Sequence, residues 1–288
     1  MVRRSVLFTP GDRPEMLRKA PAAGADVIVF DLEDAVAPQR KDEARESVRE
    51  VLTDPAFDPD CEVCVRVNAG DSALAADLQT VLDPAEPDVD RRLDSVMVPK
   101  VASAADVRHL ADEIAKYDLT LPVFALIESA AGVLAAPEIA AARATDALVF
   151  GAEDLSADIG ATRSAEGTEV LYARERVVIA AAAHDCTAID TLVTDFEDER
   201  RLREDADRSV QLGYDGKLAI HPAQVDPINE AFTPSEADRE WAERVLEAKR
   251  EADAEGHGVF EVDGEMIDAP LIAQAERIQE RAAADDEN

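Results

Sequence analysis

The sequence predicts an eight-stranded parallel α/β barrel followed by a separate C-terminal helical arm. Three observations lead there. Short continuous apolar runs, the signature of strands buried on both faces, alternate with helix-patterned segments eight times. The 288 residues suit the length of such a barrel. The competing open, doubly wound sheet would want a Gly-x-Gly-x-x-Gly after an early strand, and none is present.

Taken in order, the first strand is read at 5–9. Asp12 follows as the expected cap of a helix with Pro14 in its first turn and Glu15 three residues on. A second buried strand, 26–34, ends in three acids and leads to a polar helix over 40–52. Strand three at 61–67 and helix 72–82 come next, then strand four at 95–100 and helix 103–117. The fifth run, 121–130, carries Glu128 at its end and is followed by a helix over 132–143. The sixth, from Ala147, passes Gly151 into Glu153 and Asp154. Beyond a glycine-containing loop stand a helix over 171–183, strand seven at 187–193, a charged helix over 197–212 and strand eight at 216–222. Residues 1–232 are thus assigned to the barrel and 233–288 to the arm. The arm reads as a helix to about 254, a break at Gly256-His257-Gly258, a turn-rich stretch over 259–270 and a last helix over 271–283. It lies outside the eight-unit count and is expected to cover something.

Bulk composition narrows the function. The formal charge is -33, and six of the 30 basic residues are lysine. Acid excess with few lysines and an intact core pattern resembles a salt-adapted protein; a merely acidic protein without salt adaptation is the alternative. Such a surface repels itself in dilute buffer and is screened at about 3 Å in 1 M salt. Nucleic acid is an unsuitable partner, because phosphate binding needs a basic face. No run approaches the roughly 20 apolar residues of a membrane span, and the N-terminus shows no cleavage-site pattern, so a cytoplasmic location is expected. Cys61 and Cys64 lie three apart in a strand and point to opposite faces, which suits structural thiols better than a zinc or redox pair.

In parallel barrels the chemistry lies at the C-terminal strand ends. Those ends carry Asp31, Glu33 and Asp34; Arg66 and Asn68; Lys100; Glu128; Glu153 and Asp154; Asp190; and His221. Glu128 and Asp154 end neighbouring strands, and two convergent carboxylates suit magnesium with room left for waters and a chelating keto or hydroxy acid. A salt-bridged rim without metal is the other reading. Arg66 can hold a carboxylate or an enolate through paired N–H donors. His221 is either an acid–base group or a hydrogen-bonded structural or binding residue. Within residues 1–19, Arg3, Arg4, Arg13, Arg18 and Lys19 face only Asp12 and Glu15. That basic segment asks for an anion such as a phosphorylated substrate or the phosphates of coenzyme A, unless it is simply a solvated face. No nucleophilic triad is legible, and Ser129 has no recognisable elbow around it.

Several stretches together resemble a known family. They are Leu7-Phe-Thr-Pro-Gly-Asp-Arg13, Asp31-Leu-Glu-Asp-Ala-Val36, Arg66-Val-Asn68, Pro99-Lys100, Leu126-Ile-Glu-Ser129, Gly151-Ala-Glu-Asp-Leu155, Gly216-Lys-Leu-Ala-Ile-His-Pro-Ala-Gln224 and Gly264-Glu-Met-Ile-Asp-Ala-Pro270. In this order, across almost the whole chain, they are similar to the citrate lyase beta subunit and malyl-CoA lyase family. The resemblance implies a barrel enzyme dependent on magnesium, with manganese as a possible substitute, that makes or breaks a C–C bond between a CoA thioester and a keto acid. It implies Glu128 and Asp154 as metal ligands, Arg66 at the keto acid and enolate oxygen, and Glu33 and Asp34 as supporting acids. Phe8, Pro10, Arg13, Lys19 and His221 are expected to bind the coenzyme A thioester. Asp268 becomes the catalytic acid–base, carried by the arm of a neighbouring subunit, so the arm is a lid and the protein a homotrimer or a dimer of trimers.

The substrate implied is malyl-CoA or β-methylmalyl-CoA, cleaved to glyoxylate and acetyl-CoA or propionyl-CoA. Salt adaptation points to a haloarchaeal setting, where malyl-type thioesters are favoured over citryl. The alternatives are a malyl-CoA thioesterase and a citryl-CoA or citryl-carrier lyase subunit giving oxaloacetate with an acyl carrier partner. A non-catalytic CoA-binding subunit is the least favoured.

Overall fold

Eight strands close on themselves in sequence order, β1 (Ser5–Pro10), β2 (Val27–Asp31), β3 (Glu62–Arg66), β4 (Ser95–Val98), β5 (Val123–Ile127), β6 (Thr145–Phe150), β7 (Thr187–Asp190) and β8 (Gly216–Ala219). All neighbours are parallel, and β1 pairs with β8 to shut the ring. The structure is a computed structural model and describes residues 2–82, 91–256 and 258–286. Its contacts divide the chain into two compact units, Arg3–Asn229 and a remainder that runs from Glu230.

Helices follow the strands: α1 (Pro14–Lys19), α2 (Lys41–Leu52), α3 (Asp71–Val81), α4 (Ala104–Ala115), α5 (Ala130–Leu134), α6 (Ala136–Ala140), α7 (Ala152–Asp158), α8 (Leu171–Ala182), α9 (Glu199–Leu212) and α10 (Val225–Phe232). The fold class expected from the sequence is the one observed. Some local expectations give way. The single helix over 132–143 is two short ones, α5 and α6, because Pro137 sits in the first turn of a new helix where its missing N–H costs nothing. The stretch after Gly151 is helical, so Asp154 stands in the first turn of α7 rather than on a strand end. Asp12 does not cap α1: Arg13 holds the cap position without a side-chain bond, and buried Asp12 is drawn into an ion pair with Arg40 instead.

The barrel interior follows the period of two of a strand. Val6, Val27, Val29, Cys64, Met97, Phe124, Leu126, Ala147, Val149, Ile189 and Leu218 meet in one buried cluster. Cys64 is wholly buried there, with its thiol pushed up by burial, and all three cysteines are free. At the N-terminal end of the strands Arg3 closes the barrel. It donates from Nε to Glu62 at 2.7 Å, pairs with Asp146, and lies 4.6 Å over the Phe124 ring. Arg4 is tied to Asp26, with Nε–Oδ2 at 2.9 Å. These two arginines therefore neutralise acids at the end remote from the strand C-termini, and the basic segment expected at residues 1–19 does not exist as one patch.

Inward Ile189 turns Asp190 outward, toward α8 and α9. There Asp190 and Asp205 share a buried cluster with Arg174 and Lys217, and Lys217 Nζ also donates to Thr191 O at 2.6 Å. Asp190, read from the sequence as a rim residue, is thus a structural anion of the barrel wall. Lys217 is fully buried, and removing one partner of such a cluster leaves a charge uncompensated. Lys217→Ala is expected to cost about 3–5 kcal/mol in urea unfolding. A cost below about 1 kcal/mol would show that the cluster relaxes by admitting water.

The second unit is built from α11 (Glu236–Glu255), β9 (Phe260–Val262), β10 (Glu265–Ile267) and α12 (Ala269–Asp286). Ser235 and Asp238 form a capping box at the start of α11, and Gly256 ends it at φ 76°. The stretch over 259–270, read as turn-rich, is an antiparallel hairpin. Asp263 and Gly264 both take positive φ, which is the two-residue turn that matches strand twist. Val245, Val262, Ile267 and Ala275 form its core with Trp241, Phe260 and Ile272 alongside. His257 of the expected chain break lies outside the described residues. Among the described residues no helix is long and apolar enough to cross a membrane.

Candidate active site

One inward position further along seven of the strands, most side chains become polar or, at Gly151, absent, while Phe8 and Ile220 stay apolar. Phe8, Asp31, Arg66, Glu128, Gly151, Thr191 and Ile220 continue the parity of Val6, Val29, Cys64, Leu126, Val149, Ile189 and Leu218. All of them line a cavity of about 240 Å³, joined by Asp34, Glu153 and Asp154 at its edge. The cavity sits where strand C-termini meet, with Leu126, Leu192 and Leu218 as its apolar floor.

Arg66 is fixed from three sides. Its Nε donates to Asp31 Oδ1 at 2.7 Å, one terminal nitrogen to Asp31 Oδ2 at 2.6 Å, and the other lies 3.2 Å from Glu33 Oε2. The guanidinium carbon stands 4.7 Å over the Phe8 ring. Burial opposes the charge, but the Asp31 hydrogen bonds overcome it and hold the pKa above the ordinary arginine range. A guanidinium has five N–H groups, so among the described residues two are left without a partner and could meet a ligand. Asp31 in turn accepts the Glu33 N–H at 2.8 Å and the Ala35 N–H at 3.0 Å, which shapes the loop that carries Glu33 and Asp34.

Glu128 is 5% exposed. Its Oε1 accepts the Lys100 backbone N–H at 2.7 Å. Burial pushes its carboxyl up to about 8; the Lys100 N–H opposes that, and the neighbouring charges of Asp154 and Glu33 add to it. Glu33 is likewise raised by burial, against the pull of Lys100, whose Nζ it pairs with, and of Arg66. The cavity therefore concentrates carboxylates faster than it supplies positive charge.

Ionising Glu128 in this buried, acid-rich cavity needs compensating positive charge, which a bound cation would supply. A hard divalent ion fits the donors: magnesium commonly uses one or two protein carboxylates and fills the rest of its octahedron with water and substrate. Glu128 and Asp154 are the residues that would hold it. No third His, Cys, Asp or Glu among the described residues completes a three-ligand cage, in keeping with that open arrangement. Gly151 makes the approach possible. A Cβ there would lie 2.7 Å from Glu128 Cβ and 3.0 Å from Oε2. Gly151→Ala must displace Glu128, and a shift of about 1 Å at a reacting centre costs on the order of 100-fold in rate. Unchanged turnover in that variant would mean that Glu128 can move without consequence.

The cavity thus brings together Phe8, Asp34, Arg66, Glu128 and Asp154, with Glu33 bonded behind Arg66. Other expected residues stand apart from its lining. His221 stacks on Phe196 with ring centroids 4.6 Å apart, and its Nδ1 accepts the Ala223 N–H at 3.2 Å as a cap. Arg13 is exposed and 3.6 Å from Asp12; Lys19 is exposed at the end of α1, and Pro10 closes β1. Asp268 belongs to the second unit, exposed immediately before α12. Gly151 and Thr191 were given no role from the sequence, and Asp31 was read as a strand-end acid without one, although the inward parity of the strands places each at the cavity. Thr191 accepts the Ala152 N–H through Oγ1 at 3.1 Å and pins the start of α7.

Comparison with known proteins agrees with this geometry. Residues 4–222 match the model of the HpcH/HpaI aldolase/citrate lyase family. A citrate lyase subunit beta-like protein of Deinococcus radiodurans is 42% identical over 277 residues, 94% of each chain. The mitochondrial citramalyl-CoA lyase of Homo sapiens is 36% identical, with 95% of this chain and 84% of that one covered. The crystal structure of CitE from Mycobacterium tuberculosis in complex with magnesium, acetoacetate and coenzyme A superposes with a TM-score of 0.81 at 36% identity, covering 98% of both chains. A barrel of this topology, with carboxylates and a clamped arginine at its C-terminal mouth, matched over most of its length, belongs to the HpcH/HpaI aldolase/citrate lyase family.

Proposed function

We propose that the protein is a magnesium-dependent C–C lyase of the Claisen type. Its substrate would be malyl-CoA or β-methylmalyl-CoA, cleaved to glyoxylate and acetyl-CoA or propionyl-CoA. The observation that carries this reading is the pairing of Glu128 and Asp154 with a clamped Arg66 over an apolar floor. Related proteins act on or bind CoA compounds, keto acids and magnesium, which supports the same class.

Magnesium held by Glu128 and Asp154 supplies charge that favours ionised hydroxyl and enolate oxygens. The chain's own residues do the rest. The two free N–H groups of Arg66 meet the keto acid oxygens or the enolate oxygen, where charge develops. Asp34 lines the cavity with Lys100 Nζ 3.6 Å away, and it is the carboxylate assigned to take the hydroxyl proton. Cleavage then leaves the C–C electron pair on the thioester enolate, and Asp268 of a neighbouring copy protonates its carbon. Exchange of the second unit between subunits requires a homo-oligomer, a trimer or a multiple of it. Phe8 of β1 lines the cavity, and exposed Arg13 and Lys19, at the two ends of α1, are the cationic side chains assigned to the thioester's phosphates.

The test is incubation with malyl-CoA, β-methylmalyl-CoA and citramalyl-CoA in molar KCl with magnesium, following keto acid and free thiol together. Keto acid without thiol identifies a lyase and ranks its substrates; thiol without keto acid makes the protein a thioesterase. Citryl-CoA serves as the control for a citrate-cleaving role. The charge of -33 supports salt adaptation, so both Tm and turnover are expected to rise from dilute buffer to molar KCl. A Tm that falls with KCl would reject salt adaptation.

A further inference from the structure

Lys100 stands at φ 56°, in the left-handed region that side chains with a Cβ rarely adopt. The other non-glycine residues with positive φ among the described ones are Asp118, Asp185 and Asp263, a residue type that tolerates this region through local hydrogen bonds. Lys100 has no such excuse, and it lies beside the cavity. Its neighbours on the chain are locked: Val98 pairs with Ala125 of β5, and buried Val101 donates to Leu126 O at 3.3 Å. Between these anchors the backbone N–H of Lys100 points at Glu128 Oε1, 2.7 Å away. The ammonium of the same residue pairs with Glu33 and lies 3.6 Å from Asp34. One strained residue therefore touches both the buried carboxylate and the acid loop after β2.

We propose that Lys100 is a positioning residue for the divalent-cation site, whose left-handed backbone fixes Glu128 through Oε1 and so sets the direction in which Oε2 is presented. This rests on the reading of Glu128 as a cation ligand. Strain of this kind persists only where surrounding contacts over-determine it. Here the ion pair to Glu33 holds the side chain in place while the locked Val98 and Val101 hold the backbone. Losing the ammonium but keeping a Cβ leaves the strain unopposed, so the backbone relaxes and the N–H leaves Glu128. Glycine carries no strain at this φ and keeps the N–H in place without any ammonium.

The two effects separate in a binding experiment on the full chain. Mn²⁺ binding is measured by electron paramagnetic resonance in molar KCl for wild type, Glu128→Gln, Lys100→Met and Lys100→Gly, with melting curves confirming that each is folded. Wild type is expected to bind and Glu128→Gln to lose binding. Lys100→Met should bind at least about tenfold more weakly, the range seen when groups supporting a metal ligand are removed, while Lys100→Gly stays close to wild type. Lys100→Gln repeats the test if Lys100→Met does not fold. Equal loss in the Met and Gly variants, or loss in neither, overturns the positioning role while leaving the cation site standing. Absence of binding to wild type, or binding indifferent to Glu128→Gln, removes the cation reading itself and the proposal with it.

Discussion

Asp268→Asn is expected to lower turnover by about 1,000-fold, within the range that a positioned acid–base group contributes, while coenzyme A binding is retained. The residue follows the hairpin of the second unit directly, at the entrance to α12, and is open to solvent there. A proton donor in that position acts only when covered by the surface it serves, and coverage by another copy fits an arm that packs a core of its own. Mixing the Asp268→Asn protein with a Glu128→Gln protein under conditions of subunit exchange should then recover activity. A mixed oligomer has some cavities with both groups intact. Retained turnover in Asp268→Asn would remove the acid role, and mixing without recovery would confine it to a single chain.

Glu128→Gln is the second large effect, and it acts in two directions. Turnover is expected to fall by about 1,000-fold, because the variant weakens cation binding at the point where charge develops. Stability of the cation-free protein is expected to rise. The sign follows from proton binding. The Glu128 carboxyl ionises near 4.5 in the unfolded chain and at about 8 in the fold. Between those values the folded state holds more protons than the unfolded one, so stability falls as pH rises through the window. Glutamine carries no such proton and removes that part of the slope. With a chelator present, the two proteins should be equally stable near pH 4.5, and the variant should be the more stable at pH 8, by a few kcal/mol at most in unfolding free energy. Adding magnesium at pH 8 should raise the wild-type Tm and leave the variant where it was. A wild-type protein equally stable at pH 5 and pH 8 without metal would mean that Glu128 ionises at no cost.

How much of this was legible beforehand differs residue by residue. Glu128 and Arg66 could be placed because each ends an apolar run, and a run's end is visible in a linear sequence. Asp190 looked the same by that criterion and belongs to the wall instead, since the turn of one residue in a strand moves a side chain from the cavity to the helices outside. Arg3 and Arg4 were counted with Arg13 and Lys19 as one basic segment, although six strand residues separate their ends of the barrel. Nothing in the spacing of charges along the chain records which end of a strand they occupy relative to their partners. Asp12 shows the same limit on a smaller scale: its capping pattern is local, while Arg40, 28 positions away, is what claims it.

By itself the sequence determined the class of fold, because alternating buried runs and amphipathic segments leave a closed parallel sheet as the economical way to bury both faces. It also determined which residue types were present to bind a cation and an anionic substrate. Only the tertiary structure decided which carboxylates meet. Glu128 lies beside Gly151 because β5 and β6 bring their inward positions to one height, set by strand register, and the turn just after β4 brings the Lys100 backbone N–H to the same carboxylate. The same closure strips water from Glu128 and raises its proton affinity, an effect of burial that no list of residues contains.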